Sequence, residues 1–195
     1  MKDIPNSGMV STLDIGHPVF IHPMDKETVG NRLALWALAK TYGKKGFGYA
    51  SPIYKSMEIS DNKIYINVEN AQRGLCPMWT SLKGFEIAGE DKVFYPAFAE
   101  IETSTTRLTV SSDKVPHPVA VRYAYKNYAE ANVFNIHGLP LIPFRTDNWY
   151  KDKLREIREA INTKQSKIIE LTKREEQIAS DIKLLEERNK YKSDE

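Results

Sequence analysis

The spacing of apolar residues changes three times along the chain. Met9, Val10, Leu13 and Ile15 make a short apolar run that predicts a buried strand. Gly16 and Pro18 end it in a loop that carries His22 between Ile21 and Pro23. From Asp25 to Tyr42 the period becomes helical: Val29, Leu33, Trp36 or Ala37, and Lys40 recur at three- and four-residue steps, and Leu35 and Leu38 widen the apolar face. Asp25 is placed to cap this helix, and Gly43 to close it. Its apolar face predicts packing on a sheet.

Between Gly46 and Trp149 the period falls to two. The pattern predicts strands at Ile53–Ile59, Lys63–Glu69, Gly84–Ala88, Val93–Glu102, Arg107–Ser111 and Val119–Tyr125, with turns at Asp61-Asn62 and at Gly89-Glu90-Asp91. Lys63–Glu69 alternates most cleanly, with Ile64, Ile66 and Val68 on one face. Six short strands of this kind predict a small sandwich or compact β-domain, with Gly138–Phe144 as an extended strap.

From Tyr150 the pattern changes again. If Leu154 is a heptad a position and Ile157 a d position, eight of the eleven seam positions as far as Asn189 are apolar; Lys164, Glu175 and Asn189 interrupt them. This predicts a long amphipathic helix, either self-associating through 154–185 as a coiled coil or lying back on the β-domain. Glu170 and Arg174 stand in the favourable i,i+4 order. Composition marks the same boundary, since all ten glycines lie at or before Gly138 and all ten prolines at or before Pro143. The expected organisation is therefore 1–45, 46–149 and 150–195.

Charge and composition narrow the function. The 195 residues carry a net charge of +2 with no single-sign block, which argues against a nucleic-acid partner. No apolar run reaches membrane-spanning length, which argues against a membrane-spanning role. Cys76 is the single cysteine, so the chain has neither an internal disulfide nor cysteine pairs at metal-ligand spacing, and Cys76 reads as structural.

The chemistry-bearing candidate is His22. A histidine on a loop between a strand and a helix is a common placement for a general base in α/β hydrolytic folds, and the helix N-terminus would set a positive dipole end nearby. Taken alone, a loop histidine is more often structural. The upstream serines do not stand in a nucleophile motif. Neither Ser7 nor Ser11 lies in a G-x-S-x-G or G-D-S context, and Ser7 before Gly8 reads as a turn.

Five blocks carry a family likeness: PNSGMVSTLDIG (5–16), IHPMDKETVGNRLALWAL (21–38), GFEIAGEDKVFYPAFAEI (84–101), PVAVRYAY (118–125) and GLPLIPFRTDNW (138–149). In order and content they resemble the C-terminal portion of the sialate O-acetylesterases, which are SGNH-type carbohydrate esterases. The resemblance runs from Pro5 to Trp149. It implies that the first 45 residues are an α/β fragment, the last strand and helix of a flavodoxin-like SGNH hydrolase domain. A small β-rich accessory domain and the coiled-coil-like helix would follow.

It further implies hydrolysis of O-acetyl esters on sialic acid or related sugars, with His22 as general base, a serine nucleophile upstream, and no metal or organic cofactor. An acetylated sugar is the implied partner, and an extracytoplasmic location fits the family. The serine block has no counterpart here, so the natural domain is expected to start further upstream or to be completed by a partner chain. The isolated chain is expected to be inactive, and the alternative reading is a non-catalytic scaffold or oligomerising module derived from such an esterase.

The D-x-x-H acid is also missing. Val19 stands three before His22, and Asp14 and Asp25 are the nearest carboxylates. The role of His17 is open. Arg122 and Arg145 suit either a sugar carboxylate or the tying together of strands. Trp79, Tyr95 and Tyr123 suit either sugar stacking or the core.

Overall fold

The computed structural model describes the backbone of residues 4–102 and 106–193, and side chains as far as residue 186. The chain divides into two compact units at Asp147/Asn148.

Among the described residues of the first unit, a 3-10 turn at Leu13–Ile15 and a helix α1, Lys26–Lys40, precede ten strands. These are β1 Ile53–Ser60, β2 Lys63–Glu69, β3 Leu75–Cys76, β4 Phe85–Ala88, β5 Phe94–Pro96, β6 Phe98–Ile101, β7 Arg107–Ser111, β8 Ala120–Tyr123, β9 Phe134–Asn135 and β10 Phe144–Arg145. They form two four-stranded antiparallel sheets, ordered β1-β2-β7-β6 and β10-β8-β4-β5, and a two-stranded ribbon β3-β9. The core draws on both sheets: Ile64, Ile66, Leu108 and Val110 come from the first, Ile87, Val121 and Tyr123 from the second. β2 buries every second residue, which fixes its register because a one-residue slip would turn the apolar set to water.

The predicted strand Val93–Glu102 is two strands in two sheets. β5 ends at Pro96 and pairs with β4, whereas β6 starts at Phe98 and pairs with β7. β5 is an edge strand, where a proline costs no ladder bond on its outer side. Ala97 makes the corner, its N–H donating to the Phe85 carbonyl (3.1 Å).

The predicted strand at 9–15 is not formed. Those residues are irregular apart from the 3-10 turn, and Met9 is exposed. A strand satisfies its backbone groups by pairing, and no described strand pairs with this segment. Helix α1 is capped as expected: the Asp25 carboxylate accepts from the Thr28 N–H (2.9 Å) and hydroxyl (2.6 Å). These bonds hold the Asp25 carboxyl below the usual aspartate range. The face it buries differs from the expected one. Its buried residue is Arg32, while Leu33 and Leu38 are exposed.

The second unit is one helix, α2, Trp149–Ser193. Its side chains from Arg155 to Glu186 are exposed. The seam position Asn189 lies outside the described side chains. No described helix is long and apolar enough to cross a membrane.

Candidate active-site segment

The residues before α1 form a strap held to the helix by one buried ion pair. Arg32, 7% exposed, donates through Nη1 and Nη2 to the two carboxylate oxygens of Asp14 (2.8 and 2.6 Å). Its Nη1 also donates to the Ser11 carbonyl (2.6 Å). The planar guanidinium fork suits this bidentate geometry. Asp14 therefore belongs to Arg32, and Asp25 to the helix cap. The described hydrogen bonds bring neither carboxylate to His22.

The loop between strap and helix has its own fastening. His17 Nδ1 accepts from the backbone N–H groups of Val19 (3.1 Å) and Phe20 (3.2 Å), and the His17 ring lies 4.9 Å from that of Phe20. With Nδ1 as acceptor the neutral ring carries its proton on Nε2. His17 thus braces the loop that carries His22. His22 is exposed, and its neighbours Val19, Phe20, Ile21 and Met24 are exposed too, Ile21 at 89%.

The two nearby serines serve turns. The Ser7 hydroxyl donates to the Ile4 carbonyl (2.7 Å), and the Ser11 hydroxyl accepts from the Leu13 N–H (3.3 Å). Neither is bonded to His22 among the described hydrogen bonds, so the described residues hold no assembled serine–histidine pair.

An open cleft of about 840 Å³ lies between residues 6–8 and the Leu33, Trp36, Ala37, Lys40 face of α1. Gly8 is required here, because a Cβ at this position would run into the Trp36 indole. The Trp36 Nε1–H is buried without an acceptor among the described residues. The Trp36 and Tyr49 rings lie 5.0 Å apart, with the Lys40 ammonium over both, which ties α1 to the chain entering the β-sandwich.

The other candidates separate cleanly. The Arg122 fork binds Asp147 (2.8 and 2.9 Å) and lies over Phe94, 3.8 Å from the ring centroid. Arg145 stands 3.9 Å from the same carboxylate. Both arginines join the end of the sandwich to its last strands. Tyr123 is core, and its oxygen accepts from the Val133 N–H (3.2 Å). Burial pushes its pKa up. Tyr95 packs partly against the core under Lys114. Trp79 is 93% exposed. Cys76 donates weakly to the Asn135 carbonyl (3.4 Å), and burial raises its thiol pKa, which disfavours the reactive thiolate.

No family model matches the chain. Mouse sialate O-acetylesterase is 29% identical over 153 residues, covering 72% of this chain and 28% of that protein. The crystal structure of a carbohydrate acetylesterase from Xanthomonas citri superposes with a TM-score of 0.64 at 40% identity, over 70% of this chain and 31% of the other. The chain is sialate O-acetylesterase-like. It spans less than a third of the length of either relative. The likeness to the Xanthomonas citri enzyme is one of sequence as well as shape.

Sequence reasoning missed Arg32 in this sialate O-acetylesterase-like chain. Its only signal was a charged residue interrupting an apolar helix face, and that signal does not name Asp14 as the partner.

Proposed function

We propose that this chain is the C-terminal part of a carbohydrate esterase that hydrolyses O-acetyl esters on sialic acid or related sugars. In this reading residues 1–45 complete an SGNH hydrolase domain, and the serine nucleophile comes from outside the chain. His22 takes the proton of that serine hydroxyl as it attacks the acetyl carbonyl. It then returns the proton to the sugar oxygen as the ester breaks. The reading is carried by 40% identity to a carbohydrate acetylesterase over a region that includes most of the chain. The exposed apolar residues around His22 and the open cleft beside α1 are the kind of surface a missing domain would cover.

The test is a graft. Residues 5–149 replace the matched region of the Xanthomonas citri acetylesterase, and acetate release from an O-acetylated sialic acid and from p-nitrophenyl acetate is measured. The graft is expected to be active, and His22→Ala in it is expected to lower kcat by at least about 1000-fold. The chain alone is expected to show no serine-dependent turnover. A folded, active graft that tolerates His22→Ala removes the catalytic assignment.

A second reading, a non-catalytic scaffold that self-associates through α2, is favoured by the use of Ser7 and Ser11 in turns and by the exposed apolar seam of the helix. A graft that folds but releases no acetate would favour it.

A further inference from the structure

The seam of α2 carries a symmetry that its apolar count alone does not show. Its positions from Leu154 to Leu185 read L-I-I-K-I-L-E-I-I-L. Reversed, the same list is apolar where the original is apolar, and it sets glutamate against lysine at both interruptions. The described side chains Ile157, Ile161, Ile168, Leu171, Ile178, Ile182 and Leu185 are 45–62% exposed. Lys164 and Glu175 make no ion pair among the described residues.

We propose that α2 pairs with α2 of a second copy as an antiparallel coiled coil, centred between Ile169 and Glu170. In that register Leu154 meets Leu185, Ile157 meets Ile182, Ile161 meets Ile178, Ile168 meets Leu171, and Lys164 meets Glu175. Each layer matches an a position with a d position, so knobs can enter holes along about 48 Å of helix. Sixteen apolar side chains leave water, and the two charged layers neutralise each other.

Other arrangements lose this match. A parallel in-register pair stacks Lys164 on Lys164 and Glu175 on Glu175. Slipping the antiparallel pair by one heptad sets Lys164 against Ile182 or Ile168, and Glu175 against Leu171 or Ile157. Both charges then face hydrocarbon, which is costly. The two polar positions thus select orientation and register, a role polar seam residues commonly serve. Ile169 and Leu184 fall outside the ten layers.

The test uses the full chain under reducing conditions, so that Cys76 cannot cross-link, and it does not depend on the esterase reading. Light scattering and sedimentation are expected to give a dimer, twice the 22.3 kDa chain. Lys164→Glu alone and Glu175→Lys alone each set like charges face to face, and each is expected to raise the dimer dissociation constant at least about tenfold. The double swap restores opposite charges and is expected to return within about threefold of the original value. Both positions lie on an exposed helix face, and circular dichroism confirms that the variants stay helical. A monomer at 100 µM, a mass above the dimer, or a dimer indifferent to the single swaps (the parallel pattern) overturns the proposal.

Discussion

Arg122→Met is expected to lower the unfolding free energy by about 3–5 kcal/mol, as breaking a buried ion pair from one side generally does. The Asp147 side chain is 1% exposed and receives both arms of the Arg122 fork. Methionine keeps much of the packing over Phe94 but leaves a buried carboxylate. Arg145, at 3.9 Å, is too far to supply the lost hydrogen bonds and offsets only part of the charge. Denaturant titration measures the loss, and pairing the change with Asp147→Leu separates the stranded charge from the ion pair itself. Recovery of most of the stability in the double variant is expected. A single variant within about 1 kcal/mol of the parent would show that the pair is not stabilising.

The same pair makes a pH prediction. The hydrogen bonds from Arg122, then the Arg122 and Arg145 charges, hold the Asp147 carboxyl below the ordinary aspartate range. A carboxylate depressed in the folded state contributes its stability fully above the unfolded value of about 3.9. That contribution is lost as the pH falls through the lower, folded value. The parent's own gain from this carboxylate is therefore expected to hold from neutrality to about pH 5 and to be lost below about pH 4. In Arg122→Met the stranded carboxyl takes up a proton at higher pH, so the stability gap between the two proteins is expected to narrow already above that range.

The sandwich was legible where local pattern and tertiary role agree. Lys63–Glu69 and Arg107–Ser111 read as strands from alternation and β-branched residues, and they are strands with those limits. The helix start was legible because Asp25 caps it through its own neighbour Thr28. What failed depends on partners distant in sequence. The β5/β6 switch is set by which sheet edges stand open beside Phe94 and Phe98, and no window around Pro96 carries that. The two-residue strands β3 and β9 pair with each other across a long stretch of chain, Leu75 with Asn135 and Cys76 with Phe134. Around His22, the likeness blocks singled out the loop but not the bonds that fix it. Asp14 and Arg32 stand in separate blocks that do not name each other as partners, and His17, Val19 and Phe20 fall between those blocks.

The strap that carries His22 gives the second large effect. Asp14→Ala removes both acceptors of a guanidinium that is 7% exposed, leaving it the Ser11 carbonyl alone. Loss of one partner of a buried pair costs about 3–5 kcal/mol, and here the protein can avoid much of it by letting the strap leave the helix. The expected result is local. Amides of residues 9–24 exchange at least about 100-fold faster, which corresponds to about 2.8 kcal/mol of opening free energy at about 1.4 kcal/mol per decade. Amides of β2, β7 and β8 keep their protection, because their core lies between the two sheets and does not use Arg32. Asp14→Glu keeps the charge but shifts the fork, and an intermediate effect is expected. The loop Gly16–Met24 is joined at one end to the strap and at the other to the cap of α1, so the ion pair fixes the span across which His22 is held. If the 9–24 amides exchange freely in the parent chain, Asp14 does not hold this span, and a packed neighbour would have to position His22 instead.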